Sequence, residues 1–273
     1  MRSETINGNQ MKKTRDLFYS KQEKLFSIWR LLRLIVIAGL LIFTINLLFR
    51  LCKFQFNDVV FKLTFVASII LVNVFLDKEK LEWLGIELKI KSIIFFIIGI
   101  IWAYICKTQI EIVSAFASST TIHLANPFSK DAIISLVFFL FVIGLSEELL
   151  FRSYIIPNVA RDTNLAIAFI ISAILFSLIH FGFGTSVKDV FIMGFAFTIF
   201  LGLIFVMTKN IFIAVGFHGA WDAFGKLFSP LLKSANSWHY TPLIILLVNI
   251  SIFYLIFRKR LNFDIKELIK HRP

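Results

Sequence analysis

Two adjacent carboxylates, Glu147 and Glu148, and an arginine four residues on, Arg152, interrupt one of the most apolar stretches of this 273-residue chain. The fifteen residues before them, 132–146, carry no charge. At i,i+4 spacing Glu148 and Arg152 share a helix face and can neutralise each other as a structural ion pair. Glu147 is rotated away from that pair and has no local partner. The site must supply one. Two further pairs have the same spacing: Phe176 with His180, and His218 with Asp222. Imidazole and carboxylate together can move protons, stabilise an oxyanion or ligate a divalent metal such as zinc.

These residues sit in a chain composed for a bilayer. It is 58% hydrophobic and 17% charged, with 33 phenylalanines, where soluble domains are nearer 45–50% apolar and about 25% charged. The fold class expected is all-α: a polytopic bundle of about eight transmembrane helices. A formal charge of +12 would suit a nucleic-acid partner. The basic residues, however, fall in the ends and loops, which is the positive-inside pattern of a membrane protein and excludes that reading. An ionisable side chain at bilayer depth costs about 2.5–3.5 kcal/mol on insertion scales, so each one is a candidate functional residue. The two cysteines, Cys52 and Cys106, make no disulfide framework and read as small buried side chains.

The apolar runs predict spans near 34–51, 59–76, 92–106, 132–157, 165–181, 190–207, 211–224 and 243–257. Lys62 snorkels at the edge of the second. Residues 107–131 read as an external loop, and 182–184 and 225–242 as shorter connections. The fourth span is drawn through Glu147 to Pro157, where a helix should stop. Helix rise then puts Glu147, His180 and His218 about 15, 24 and 11 Å from the cytoplasmic ends of their helices, a mismatch that tilt must absorb. No cleavable signal peptide is expected, since no small-residue cleavage site follows the first apolar stretch. Residues 1–33 carry eight Lys or Arg, the loop after the second span four, and the last sixteen residues six, against about two in each opposite loop. Both termini are therefore expected in the cytoplasm. The basic tail reads as a short amphipathic surface helix.

Of seventeen acidic residues, only Glu147, Glu148 and Asp222 fall well inside predicted spans, and of five histidines only His180 and His218. His123, His239 and His271 lie in loops or the tail and receive no role. The inner set could serve proton-coupled transport as well as hydrolysis. There is, however, no inverted repeat and no pair of Gly/Pro-broken helices of the transporter kind. Three partnerless ionisable residues on three helices would be expensive in lipid unless they meet. Glu147, His180 and His218 are therefore expected to converge on one water-filled pocket, open to the cytoplasmic side, with Asp222 facing it.

Glu147-Glu148-x-x-x-Arg152, Phe176-x-x-x-His180 and His218-x-x-x-Asp222, in that order, resemble the three motifs of the CAAX protease and bacteriocin-processing (CPBP, or Abi) family of intramembrane endopeptidases. The likeness covers about residues 130–225. It implies an endopeptidase in which Glu147, helped by His180, activates water, and His218 with Asp222 stabilises the oxyanion. Glu148 and Arg152 become the ion pair that holds the base. The family's third motif commonly ends in Asn; here it is Asp222, a carboxyl that donates only when protonated. The family is often labelled metalloprotease, which implies Glu147, His180 and His218 as ligands of a divalent metal such as zinc; a metal-free mechanism uses the same atoms. The layout expected is a basic cytoplasmic arm (1–33), N-terminal transmembrane helices with an external loop (34–131), a CPBP-like catalytic core (132–225), and a last transmembrane helix with a basic tail (226–273). The partners implied are membrane lipid and a peptide or protein substrate, and the location is the cell membrane. Two other readings stay open: a non-catalytic immunity or scaffold protein on the same fold, and a proton-coupled transporter.

Overall fold

A chain crossing a bilayer must satisfy its backbone polar groups internally, and this one does so with helices. The computed structural model describes residues 26–55, 57–118, 130–181, 186–227 and 241–257. Among these residues are eight long helices and no strand: α1 Ser27–Leu51, α2 Asp58–Leu76, α3 Ile90–Ser118, α4 over 130–162, α5 Leu165–Ile179, α6 Val187–Thr208, α7 Phe212–Leu227 and α8 Thr241–Phe257. Helices α1, α2, α3, α4 and α6 are each long and apolar enough to cross a membrane; α5 and α8 are shorter apolar helices. The molecule is an integral membrane helix bundle. Most of the basic arm, the Ser119–Pro127 stretch, the Gly182–Gly184 turn, residues 228–240 and the basic tail lie outside the described residues.

Two boundaries correct the sequence reading. Helix α3 does not end at Cys106 but continues to Ser118, through what reads as loop. Two of its polar residues are partnered within the bundle. Lys107 lies over the Trp221 ring at 4.3 Å, and Gln109 accepts from Asn249 of α8 at 2.9 Å. Helix α4 does not stop at Pro157 but runs to Asp162. Proline falls in the first turn after a π-helical stretch, Leu149–Ile155, where the hydrogen-bond register changes and its missing N–H matters little.

One end of the bundle is tied shut. Ser27 at the start of α1 donates from its backbone to Asp162 at the end of α4. Arg30 pairs with Asp77 at 3.3 Å and donates to Asn158 at 3.1 Å. Arg33 pairs with the same Asp77 oxygen, and Tyr154 donates to the other at 2.9 Å. Beneath this network Leu34, Ile69, Val72, Leu84 and Leu149 are almost wholly buried together. At the same end Gly85, at φ +72°, accepts from Ile211 at 3.1 Å, and a side chain at Gly85 would strike that backbone. At the opposite end Cys52 caps α1. It is exposed rather than buried, because it stands where the helix leaves the bundle; Cys106 is buried as expected.

Candidate active site

Glu147 and Glu148 lie on a short α-helical turn, Leu145–Glu148, between two π-helical stretches, Phe139–Gly144 and Leu149–Ile155. Such wide turns re-aim side chains and recur at functional sites. Helix α5 is fastened to this region by Ser172, whose hydroxyl donates to the Phe151 carbonyl at 3.1 Å. Helix α7 crosses α4 at backbone contact through Gly144 and Gly219. A Cβ at Gly219 would sit 2.5 Å from Leu140 Cα. Small residues permit this approach between membrane helices, and it brings the neighbouring His218 onto the two glutamates.

Glu148 and Arg152 are both wholly buried, with Arg152 Nε 3.2 Å from Glu148 Oε2. The pair does more than neutralise itself. Glu148 Oε1 lies 2.6 Å from His218 Nδ1, and the guanidinium stands 4.6 Å from the Phe176 ring. That ring is in turn 4.4 Å from the His180 ring. Phe176 is therefore the packing piece between the buried arginine and the second histidine.

The hydrogen bonds assign the histidine protons. His180 Nδ1 is 2.7 Å from the Phe176 carbonyl, which can only accept, so Nδ1 carries hydrogen. By the same argument His218 Nδ1–H donates to the Glu148 carboxylate. Both Nε2 atoms then turn toward one point, Glu147 Oε2, at 3.7 Å from His180 and 3.9 Å from His218. Oε2 is buried and accepts no hydrogen bond. The other oxygen, Oε1, accepts from Lys62 Nζ of α2 at 2.9 Å. Asp222 Oδ2 lies 3.5 Å from His218 Nε2, with about a third of its side chain exposed.

A cleft of about 510 Å³ leads to this point, lined by Phe61, Lys62, Phe65, Glu147, Leu150 and His180 among others. Lys62 is one turn into α2 and His180 caps the end of α5, so the mouth lies at the bundle end opposite the tied one. That is also the end opposite the start of α1 and the finish of α8. With eight alternating helices, a cytoplasmic mouth and cytoplasmic termini are incompatible, which corrects the expectation that combined them.

The depth mismatch has a physical cause as well. Because α4 continues past Pro157, Glu147 is fifteen residues from Asp162, as His180 is from Leu165, or about 22 Å by helix rise for each. Helix α7 starts below the surface: Asn210 and Ile211 are buried under the Gly85 turn.

The donor set of Glu147, His180 and His218 lacks the spacing a metal needs. Among the described residues no group of three or more His, Cys, Asp or Glu side chains stands at metal-ligand spacing. An ammonium already occupies the carboxylate, where it would oppose a dication. As arranged, the residues do not fit a resident metal.

Sequence reasoning missed Lys62 as a site residue. Its signal is a lone cation inside an uncharged run, which snorkelling at the membrane edge accounts for equally well. Glu148 was legible only as an ion-pair partner, because its contact with His218 spans 70 residues of sequence.

Residues 129–224 match the family model for the type II CAAX prenyl endopeptidase, Rce1-like. The chain is also 32% identical over 144 residues to UPF0177 protein YxdF of Lactococcus lactis subsp. lactis (strain IL1403), covering 48% of this chain and 77% of that protein. The chain belongs to the CAAX protease and bacteriocin-processing family. The family segment holds Glu147, Glu148, Arg152, Phe176, His180, His218 and Asp222, and it leaves Lys62 outside.

Proposed function

We propose that this member of the family is an intramembrane endopeptidase that cleaves a peptide bond with water activated by Glu147. The observation that carries the reading is the convergence of two imidazole Nε2 atoms on the buried Glu147 Oε2. Oε2 is buried without a hydrogen-bond partner, and a water molecule held between it and the imidazoles would satisfy it. Glu147 takes a proton from that water, and the oxygen attacks the substrate carbonyl. His180 Nε2 orients the same water from the mouth of the cleft. His218, held by Glu148 at Nδ1, donates from Nε2 to the oxyanion when the ring carries its second proton, with Asp222 beside it. Glu147 then returns its proton to the leaving amine, so that water and peptide become acid and amine. Lys62 fixes Oε1 and thereby aims Oε2. Arg152 holds Glu148 without reaching the reacting atoms. The aromatic and aliphatic lining, Phe61, Phe65, Leu150, Phe151 and Ile179, suits apolar side chains on the substrate.

The test is cleavage of a peptide library by the purified full chain in proteoliposomes, with Glu147→Gln as control. Cleavage by the wild type and none by the variant is expected. Equal product from both, or none from either while both remain folded, rejects the reading.

A further inference from the structure

The side from which the cleft is entered follows from three independent features. The first is its lining. Phe61 and Lys62 lie in the first turns of α2, and Ile179 and His180 end α5. All four belong to the bundle end that also carries Cys52.

The second is the closure of the opposite end. Between Glu147 and that end lie the almost wholly buried Leu34, Ile69, Val72, Leu84 and Leu149. The Arg30–Asp77–Tyr154–Asn158 network covers them. On the α1, α2 and α4 side, a peptide coming from that end would have to break buried ion pairs to reach Glu147.

The third is charge. Of 29 Lys and Arg, eight precede or open α1 in sequence (residues 1–33) and six follow α8 (258–273); four in 78–91, Arg161 and Lys209 flank helix ends on the tied side. Against these twenty, seven described cations, Arg50, Lys53, Lys62, Lys107, Lys130, Lys188 and Lys226, lie toward the end with the mouth, Lys233 falls in sequence between α7 and α8, and Arg152 is buried. The end richer in Lys and Arg is retained in the cytoplasm.

We propose that the site opens to the non-cytoplasmic face of the membrane, between α2 and α5, and that its substrate is a peptide segment on that face. This rests on the endopeptidase reading for the word substrate, but the direction of opening does not. The class implied is an extended, apolar stretch at the outer end of another membrane span, or of a chain already exported. An extended stretch is required because a helix keeps its carbonyls in internal hydrogen bonds, whereas hydrolysis needs one exposed to Glu147 and His218. The apolar requirement comes from the three phenylalanines of the lining, Phe61, Phe65 and Phe151.

The native cysteines provide the test. Cys52 is exposed at the mouth end and Cys106 is buried. Cells expressing the full chain are treated with a sulfonated, membrane-impermeant maleimide, intact or permeabilised, and the chain is isolated for detection. Intact and permeabilised cells should label equally, and Cys52→Ser should lose the label in both. Phe61→Cys on the Cys52→Ser background should restore it and so place the cleft itself. Labelling of either cysteine only after permeabilisation overturns the proposal. The assay contains no substrate, so its outcome is separate from that of the peptide-library assay. An inward mouth leaves the endopeptidase intact, and an inactive protein leaves the mouth where the label finds it.

Discussion

The bundle holds two buried polar clusters of similar composition, and they differ in one respect. At the tied end, both oxygens of the fully buried Asp77 are engaged, one by Arg30 and Arg33 and the other by Tyr154. At the centre, Glu147 has one oxygen on Lys62, while the other faces two imidazoles beyond hydrogen-bonding distance. A carboxylate saturated by its neighbours is a fastening. One left short, beside a cleft and between two bases, is equipped to take a proton. Residue type alone does not separate Asp77 from Glu147; an unsatisfied oxygen that also faces a cleft does.

The largest expected effect breaks this comparison at its centre. Glu147→Gln keeps the shape and the bond to Lys62 but cannot accept a proton, so turnover should fall about 100- to 10,000-fold, the range of a general base. Thermal stability in detergent should stay close to wild type. A variant that is both inactive and unfolded would make Glu147 another fastening and remove the distinction.

Next come the ion pairs. Arg152→Ala strands Glu148, and Asp77→Ala strands Arg30. Losing one partner of a buried pair costs about 3–5 kcal/mol, so both should lower the melting temperature and the yield of folded protein. They should differ in what remains. Folded Asp77→Ala should turn over substrate at the wild-type rate per molecule. Arg152→Ala should not, because Glu148 also positions His218. Equal residual activity in the two would show that the clusters are not separate.

Much of this was legible in the sequence, for identifiable reasons. Glu147, His180 and His218 stood out because charge is rare at depth, and helical spacing paired Glu148 with Arg152. Eight apolar runs became eight helices. What escaped depended on contacts distant in sequence. Pro157 reads as a stop, yet the π-helical turn before it absorbs the proline. Residues 107–118 read as loop because Lys107, Gln109 and Glu111 look solvent-exposed, although α7 and α8 partner the first two. Lys62 reads as a snorkelling side chain, although the rule that singles out the glutamates applies equally to a cation. The lock around Asp77 joins α1, α2 and α4, and no local pattern announces it.

A smaller effect sharpens the role of Lys62. Lys62→Met keeps an apolar stem of similar length and removes the bond to Glu147 Oε1. If Lys62 aims the base, kcat should fall about tenfold, equivalent to ~1.4 kcal/mol, with KM nearly unchanged, and Lys62→Arg should recover much of the loss. A change confined to KM would instead make Lys62 a substrate contact.

The smallest effect concerns Asp222, where the chain carries a carboxyl in place of the family's usual amide. Its Oδ2 is 3.5 Å from His218 Nε2, too long for a strong hydrogen bond, and the side chain is partly exposed. A charge in that position is screened, and exposed pairs of this kind are worth about 0–1 kcal/mol. Asp222→Asn preserves shape and supplies an N–H donor that the ionised carboxylate lacks. Turnover should therefore stay within about fivefold of wild type, the equivalent of that energy range, and a rise is the favoured direction because a second donor would face the oxyanion. Kinetics of Asp222→Asn beside Asp222→Ala, with the same peptide, separate the possibilities. Loss in the alanine variant with retention or gain in the asparagine variant assigns the position to oxyanion binding. Equal and severe loss in both would mean that the carboxylate itself is needed beside His218, and Asp222 would then join Glu147 on the proton-handling side of the site.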